Sequence, residues 1–442
     1  MKKRVLIMGA AGRDFHNFNC LFRDDPSVRV VAFTAAQIPY ITDRTYPPLL
    51  AGPLYPEGIP IHPEERLAGL LGSEHIDTVV FSYSDVSFGH VMRLASVAAS
   101  QGAGFTLPGP GATMLESTKP VISVTAVRTG CGKSGTTRFV AGVLREAGLV
   151  PVVIRHPMPY GDLAGARVQR FASPADLEAA RCTIEEREEY EPLVEAGYVV
   201  YAGVDYRAVL DEAEEEGDVV VWDGGNNDGP FIRPDLDICL ADALRPGAEL
   251  GWWPGEANLR RAGVVVVAKA DAAPPESSEA IIRSVRAVNP GARIIRTASV
   301  IDAGGAEAEA ALRGRTALVV EDGPTLTHGG MGFGAGLRAA ERYGAEAVDA
   351  RPFARGSMEE TFRRYPHIEK ILPAMGYSPA QIRDLESTIA ATPSDVVIVA
   401  TPVNLTGLIK VTRPVVRVRY EVEDMETPGL RGVVMDFIDS VK

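Results

Sequence analysis

The fold is decided by the stretch Val121-Ile-Ser-Val-Thr-Ala-Val-Arg-Thr-Gly-Cys-Gly-Lys-Ser134. Its first half is rich in β-branched side chains, which predicts a buried strand over Val121–Val127. A glycine-rich loop follows, and then a helical pattern over Gly135–Ala147. Such a loop can bend around a phosphate with its N–H groups pointing inward, and the N-terminus of the helix adds partial positive charge. The stretch therefore predicts a P-loop nucleotide-binding fold.

Each part of the loop has an expected contact with the nucleotide. Lys133 is expected to reach the β and γ phosphates, and the Ser134 hydroxyl is placed to ligate Mg²⁺. Val127 stands where the pattern G-x-x-x-x-G-K-[ST] has its first glycine, which favours a variant with a basic residue, here Arg128, before T-G-x-G-K-[ST]. The predicted phosphate-binding residues are Thr129, Gly130, Cys131, Gly132, Lys133, Ser134 and Gly135.

A second carboxylate follows another predicted strand. Asp218–Trp222 is apolar after its first residue, and Asp223 comes at its C-terminal end, before Gly224 and Gly225. An aspartate there can hold a water of the metal, and the glycines allow the backbone to approach the γ phosphate. We therefore predict Lys133, Arg128 and Asp223 as catalytic residues, Ser134 and Asp223 as metal ligands, and Mg²⁺ with ATP or GTP as co-substrate.

A third element concerns the base. Val264–Asp271 resembles the N-K-x-D element of GTPases, with Ala268 in place of asparagine. Asp271 is a candidate acceptor from the base and Lys269 a candidate cover for its ring. Because the asparagine is missing, guanine and adenine both stay open.

The chain alternates strand-like and helix-like segments throughout, which predicts an α/β protein with mostly parallel sheets. A turn-rich stretch at Pro108–Gly111 marks the first boundary. We predict a Rossmann-like α/β domain at residues 1–118, a P-loop NTPase domain at 119–314 and a C-terminal α/β domain at 315–442.

Composition limits the partners. The 442 residues carry a formal net charge of −13, which argues against a nucleic-acid surface. No apolar stretch approaches the ~20 residues of a membrane helix. Val5–Met8 is predicted to be a buried strand and not part of an export signal. The four cysteines are scattered, so neither a disulfide framework nor a zinc knuckle is expected, and a soluble cytoplasmic protein is. Two acidic runs, Glu185–Glu189 and Glu212–Glu216, are predicted to be solvated helix faces.

Four unusual strings carry a resemblance to a known family. They lie at Arg128–Ser134, Arg155–Asp162, Asp223–Asn227 and Glu321–Gly330. Over nearly the whole chain the sequence resembles a family of P-loop GTPases of bacteria and archaea that is commonly labelled cyclic 2,3-diphosphoglycerate synthetase. The label implies that two phosphates of one substrate are joined into a ring while ATP is hydrolysed. Ala268 departs from the family, where asparagine is usual.

The loop is also similar to that of the wider class containing dethiobiotin synthetase and nucleotide-dependent metal chaperones. In that class a basic residue before the loop reaches across a dimer interface to the partner's nucleotide. The resemblance implies this role for Arg128, and hence a homodimer or higher homo-oligomer. The alternative is that Arg128 pairs with an acid of its own chain and supports the loop.

Three further strand ends supply candidate contacts for a small anionic substrate. Each lies where ligands bind in open α/β sheets, outside the carboxyl end of a strand. The candidates are Arg155 and His156, then Arg13, His16 and Asn19, and finally Thr327 and His328. These clusters favour a nucleotide-driven synthetase acting on a phosphorylated or carboxylated substrate. The alternative function is a regulatory or metal-delivery GTPase that acts on a protein partner.

Overall fold

The computed structural model describes residues 2–36, 41–158, 160–225, 228–327, 329–376 and 378–441. Its strands and helices alternate along most of the chain and form three main sheets. Most strand pairs within these sheets are parallel, so the prediction of an α/β fold with mostly parallel sheets is confirmed. None of the described helices combines the length and the apolar composition that crossing a membrane requires.

The N-terminal sheet has six strands in the order β3-β4-β2-β1-β5-β7. Its strands and helices, with the short strand β6, are β1 (Lys3–Met8), α1 (Arg13–Leu21), β2 (Val28–Ala35), β3 (Thr45–Tyr46), α2 (Pro48–Ala51), β4 (Ile59–Pro63), α3 (Leu67–Ser73), β5 (Thr78–Phe81), β6 (Val86–Ser87), α4 (Phe88–Ser100) and β7 (Gly104–Thr106). The predicted first strand is thus present, and its four apolar residues, Val5–Met8, are buried.

The central part of the chain begins with the predicted P-loop strand. Its elements are β8 (Val121–Ala126), α5 (Lys133–Glu146), β9 (Pro151–Arg155), β10 (Gln169–Phe171), α6 (Pro174–Ala179), α7 (Ile184–Glu195), β11 (Val199–Ala202), α8 (Tyr206–Glu216), β12 (Val219–Asp223), β13 (Leu236–Asp242), β14 (Trp252–Trp253), α9 (Gly255–Arg261), β15 (Val264–Ala268), α10 (Pro275–Val288), β16 (Arg293–Asp302) and α11 (Ala306–Leu312).

The third part of the chain forms a smaller parallel sheet in the order β18-β17-β20-β21, with β19 beside β17. Its elements are β17 (Thr316–Asp322), α12 (Gly323–Thr327), α13 (Ala335–Tyr343), β18 (Glu346–Ala347), α14 (Ser357–Arg364), β19 (Leu372–Ala374), α15 (Pro379–Ala391), β20 (Val396–Ala400) and β21 (Val415–Arg417).

The last two elements, β22 (Arg419–Asp424) and α16 (Leu430–Val441), return to the central sheet. β22 pairs antiparallel with β16, and α16 packs against α5. The central sheet therefore has nine strands in the order β10-β11-β9-β12-β8-β13-β15-β16-β22. The C-terminal end of the chain thus closes the central sheet, within the range predicted for the third domain. The three domain boundaries stay a prediction.

The position of β8 explains its sequence. It lies between β12 and β13 in the middle of the central sheet, and all six of its residues are buried. A parallel strand covered on both faces is apolar along its whole length, as the run of β-branched residues is here. The carboxyl ends of β8, β12, β13 and β15 meet along one edge, and this edge carries the candidate site.

Candidate active site

The P-loop has the shape that its sequence predicts. It joins β8 to α5, and Gly130 and Gly132 have φ angles of 81° and 101°. Both angles lie in the left-handed region that glycine adopts without strain. A Cβ added to Gly132 would meet no atom within 4 Å. The glycines are therefore needed for the backbone shape, and the space beside Gly132 is open to a ligand.

Two cations hold the loop from behind. Arg245 donates a hydrogen bond of 2.7 Å to the carbonyl of Thr129, and Lys269 donates one of 2.6 Å to the carbonyl of Gly130. Both side chains also bond to the buried carboxylate of Asp242, at 3.1 and 2.8 Å. Side chains of the protein itself thus support the shape of the loop. Asp242 and Arg245 were not predicted, because no short motif marks them.

Lys133 lies where a phosphate can meet it. Its side chain is only 13% exposed, and its Nζ is 3.9 Å from Oδ1 of Asp223. Burial lowers the pKa of Lys133, and the nearby Asp223 carboxylate acts in the opposite direction. A desolvated ammonium gains strongly from an added anion. The geometry therefore suits the predicted role of Lys133 on the phosphates.

Asp223 is fully buried at the end of β12. One carboxylate oxygen accepts from the Thr137 hydroxyl at 2.7 Å and pairs with Arg155. The other oxygen has no hydrogen-bond partner in the described ranges. Asp223 does not line the cavity, but its oxygen without a partner faces Lys133, which does. Together with the hydroxyl of Ser134 on the cavity wall, it is an oxygen donor of the kind that Mg²⁺ takes beside phosphates. The residues present thus suit the predicted metal.

Arg155 and His156 take different places. Arg155 is fully buried, forms ion pairs with Asp223 and Glu189, and does not line the cavity. The structure therefore places Arg155 behind the cavity wall, where it holds Asp223. His156 does line the cavity, and its Nδ1 lies 3.3 Å from Asp228. Asp228 was not predicted, although it follows the same strand as Asp223.

The three predicted substrate contacts that follow β1 also lie in different places. Arg13 lines the cavity, where its guanidinium bonds to the Gly229 carbonyl. His16 is buried, faces the Thr113 carbonyl and stacks on Phe231, and burial lowers its pKa to about 3. Asn19 donates to the Val204 carbonyl at 3.3 Å. His16 and Asn19 therefore join parts of the fold and are not brought to the cavity.

Arg128 is paired within its own chain. Its Nε donates to Asp85 at 3.0 Å, and its guanidinium lies 3.3 Å from the centre of the Trp252 ring. Asp85 also accepts from the Thr129 N–H at 3.3 Å, so a residue of the N-terminal part touches the P-loop directly. This geometry matches the intrachain alternative. Contact with a partner subunit stays a prediction.

Lys269 and Asp271, the two residues predicted to contact the base, lie in different surroundings. Lys269 follows β15 with a φ of 57° and lines the cavity, with its ammonium turned to the loop. Asp271 is exposed and accepts from the Ser299 N–H at 2.9 Å, and it does not line the cavity. Neither contact decides between guanine and adenine.

The last pair of candidates follows β17. Thr327 is 7% exposed, and its hydroxyl donates to the Gly323 carbonyl inside α12. It does not line the cavity, whereas Thr325 does. His328 lies outside the described residues.

The cavity itself has a volume of about 220 Å³ and touches all three parts of the chain. One side, the phosphate wall, is the loop Arg128–Ser134. The N-terminal part adds the turn Ala11–Asp14. A third side, the acidic wall, consists of Glu185 and Glu188 of α7 with Glu321 and Asp322 at the end of β17. The cavity thus has a cationic and an anionic side.

The acidic wall corrects the prediction for Glu185–Glu189. Glu185 and Glu188 are 1% and 5% exposed, not solvated. The C-terminal part covers them: Glu185 accepts from the Gly376 N–H and Glu188 from the Thr401 hydroxyl, both at 2.9 Å. Glu188 is one helical turn after the buried Ile184, a spacing that indicated a buried face.

Burial raises the pKa values of the carboxyl groups in the acidic wall. It raises the pKa of Glu185 to about 7 and that of Glu321 to about 7. Burial also raises the pKa of Glu188 well above its usual value, and the neighbouring Asp322 and Glu185 carboxylates add to the effect. The wall therefore holds carboxyl groups that gain most from a cation beside them.

Comparisons with known proteins place the chain. No protein-family profile matches it. It is 56% identical over 437 residues to the arginine synthetase ArcE of Thermococcus kodakarensis, covering 99% of this chain and 97% of that protein. This relationship confirms the prediction of an enzyme.

The solved structures that match this protein in a structural comparison have low sequence identity to it. LpxK from Aquifex aeolicus, in complex with ATP, is 13% identical with a TM-score of 0.41, over 79% of this chain and 95% of that one. The hydrogenase maturation factor HypB from Archaeoglobus fulgidus is 15% identical with a TM-score of 0.26, over 40% of this chain and 80% of that one.

Proposed function

The chain belongs to the family of the arginine synthetase ArcE of Thermococcus kodakarensis, and on this premise we propose that it is an ATP-driven, Mg²⁺-dependent synthetase that forms arginine. The observation that carries the proposal is that one and the same cavity has the phosphate wall on one side and buried carboxylates on another. A synthetase that uses ATP to form a cationic amino acid must bind the phosphates and the cationic group close to each other.

On the phosphate wall, the backbone N–H groups and Lys133 bind the phosphates. Positive charge placed before the reaction stabilises the charge that develops on a transferring phosphoryl group. Asp242, through Arg245 and Lys269, keeps the loop in its binding shape. These bonds reduce the conformational freedom that the loop would otherwise lose when ATP binds.

Behind the phosphates, Arg155 orients Asp223 and Asp223 faces Lys133. Ser134 and Asp223 would hold Mg²⁺, which supplies charge neutralisation between the phosphates. Arg155 also pairs with Glu189 of α7. The same ion-pair network thus connects the phosphate wall to the helix that carries the acidic wall.

The product constrains the chemistry. Phosphoryl activation needs an oxygen on the substrate, and the guanidinium group of arginine has none. The precursor in this scheme is the ureido amino acid with oxygen in place of one terminal nitrogen. Its oxygen attacks the γ phosphorus and ADP leaves; ammonia then adds to the carbon and phosphate leaves with the oxygen.

Two competing functions are kept as alternatives. The narrower label, cyclic 2,3-diphosphoglycerate synthetase, requires a substrate with two phosphates, and the acidic wall would repel it. A regulatory or metal-delivery GTPase would need no small-molecule cavity beside its phosphate loop. The experiment below also compares ATP with GTP as the nucleotide substrate.

The test measures the release of ADP from ATP, or of GDP from GTP, by the purified full chain with Mg²⁺. The substrates offered are the ureido amino acid with ammonium, each of these two alone, or 2,3-diphosphoglycerate. We expect ADP release that requires both the ureido compound and ammonium, with arginine detected in equal amount by mass spectrometry. Turnover with 2,3-diphosphoglycerate alone would overturn the proposal, as would hydrolysis that no small molecule stimulates.

A further inference from the structure

The two glutamates of α7 on the acidic wall share an unusual arrangement. In each, one carboxylate oxygen is held by the C-terminal part: Oε1 of Glu185 by the Gly376 N–H, and Oε1 of Glu188 by the Thr401 hydroxyl. The second oxygen of each, Oε2, is buried and accepts from no N–H or hydroxyl group in the described ranges. The Glu188 and Asp322 carboxyl groups are close enough for one to donate to the other when it is protonated. One oxygen thus fixes the side chain, and the other is left for a ligand.

These two carboxyl groups lack a cationic partner in the described part of the protein. Neither Glu185 nor Glu188 forms an ion pair with any described lysine or arginine. Instead they face other acids, Glu188 lying close to Asp322. Buried carboxylates without a partner cost free energy, and the cost is removed when a cation binds. Since both line the cavity, that cation would arrive with a ligand.

A metal ion does not fit this wall. Among the described residues, no group of three or more histidine, cysteine, aspartate or glutamate side chains is arranged to hold one. A guanidinium or ammonium group needs less convergence, because its N–H donors fan out toward separate acceptors. The free oxygens of two glutamates one helical turn apart are acceptors of this kind.

Building on the proposed function, we propose that Glu185 and Glu188 bind the cationic nitrogen group, guanidinium or ammonium, of the amino acid in this enzyme. The next residue of the helix, Glu189, pairs with Arg155, which in turn pairs with Asp223 beside Lys133. The ligand is thereby held within the network that also orders the phosphate wall. Glu185 and Glu188 are binding residues and take no part in bond making.

The experiment is isothermal titration of L-arginine into the full chain, with ADP and Mg²⁺ present. The variants are Glu185→Gln and Glu188→Gln, which keep the shape and the anchored oxygen and remove the charge. The matched control is Glu191→Gln, on the same helix and also buried, with its carboxylate near Arg187 and away from the cavity. We expect each test variant to bind arginine at least about tenfold more weakly, and the control within about twofold of wild type.

Two further probes tell which end of the amino acid occupies the wall. N-acetyl-L-arginine keeps the guanidinium and lacks the ammonium, whereas L-norvaline keeps the ammonium and lacks the guanidinium. Glu188→Gln should weaken the binding of one of them and leave the other unchanged. Melting temperatures verify folding, and removing an unpaired buried charge should not lower them.

The outcomes separate the two proposals. Arginine that binds wild type and both test variants equally would overturn the inference and leave the proposed function standing. Wild-type protein that binds ADP and no arginine would overturn the proposed function, and this inference with it. Selective loss in the two test variants supports both.

Discussion

The phosphate wall and the acidic wall face one cavity but are built in different ways. The phosphate wall is one continuous loop, Arg128–Ser134, whose shape comes from its own glycines. The acidic wall joins α7 to the end of β17, and the two glutamates of α7 are fixed by groups that follow β19 and β20. A motif marks the first wall, whereas only the packing of distant segments creates the second.

The largest effect should come from the phosphate wall. Lys133→Ala removes the ammonium from the phosphates, so ATP turnover should fall by about a hundredfold or more, while arginine binding persists. Steady-state kinetics and arginine titration measure the two walls separately. The control is the exposed Lys410→Ala. If Lys133→Ala turned over ATP at the wild-type rate, the proposed role of the P-loop in the reaction would be wrong.

A smaller effect on turnover, with an added effect on stability, is expected from Asp223→Asn. The change takes away one partner of the buried Arg155, which should lower the free energy of unfolding by about 3 kcal/mol. Turnover and Mg²⁺ dependence should weaken more than ATP affinity, because the loop contacts remain. Urea unfolding and Mg²⁺ titration give the two readouts. Unchanged Mg²⁺ dependence in a folded variant would make Asp223 purely structural.

The acidic wall should make arginine binding depend on pH. Burial raises the pKa of Glu185 to about 7, offset in part by the Gly376 N–H and the Thr183 hydroxyl and supported by Glu186. Below this pH the carboxyl is protonated and neutral, and a bound cation favours its ionised form.

The sign is therefore that arginine affinity rises as pH increases from 6 to 8, by up to about tenfold per pH unit for each proton released. Titrations in buffers of different ionisation enthalpy count the protons. In Glu185→Gln the slope should become smaller. Affinity that falls with rising pH would contradict the assignment of a cation to this wall.

The smallest effect should come from a second acidic helix. Glu212 lies on α8, outside the cavity, and is exposed as predicted. Glu212→Gln should change arginine binding by less than about twofold and the free energy of unfolding by less than about 0.5 kcal/mol. The same titration and urea unfolding measure both. A loss comparable to that of Glu188→Gln would mean that net charge, and not the wall, governs binding.

The sequence alone determined the α/β class, the strand at β8, the P-loop and the placement of Lys133 and Asp223 near each other. These follow from contiguous residues, because a strand, a glycine-rich loop and a helix fix their own geometry, and parallel strands bring their carboxyl ends to one edge. The spacing of apolar residues was sufficient to predict these strands.

Only the tertiary structure decided which polar residues face the cavity. Glu185–Glu189 and Glu212–Glu216 have similar composition, yet the C-terminal part covers the first run and leaves Glu212 in solvent. His16 and Asn19 were likewise predicted to contact a substrate, but they contact backbone carbonyls inside the protein. The physical reason is that the burial of a charge depends on what packs against it, and that partner lies far away in the sequence.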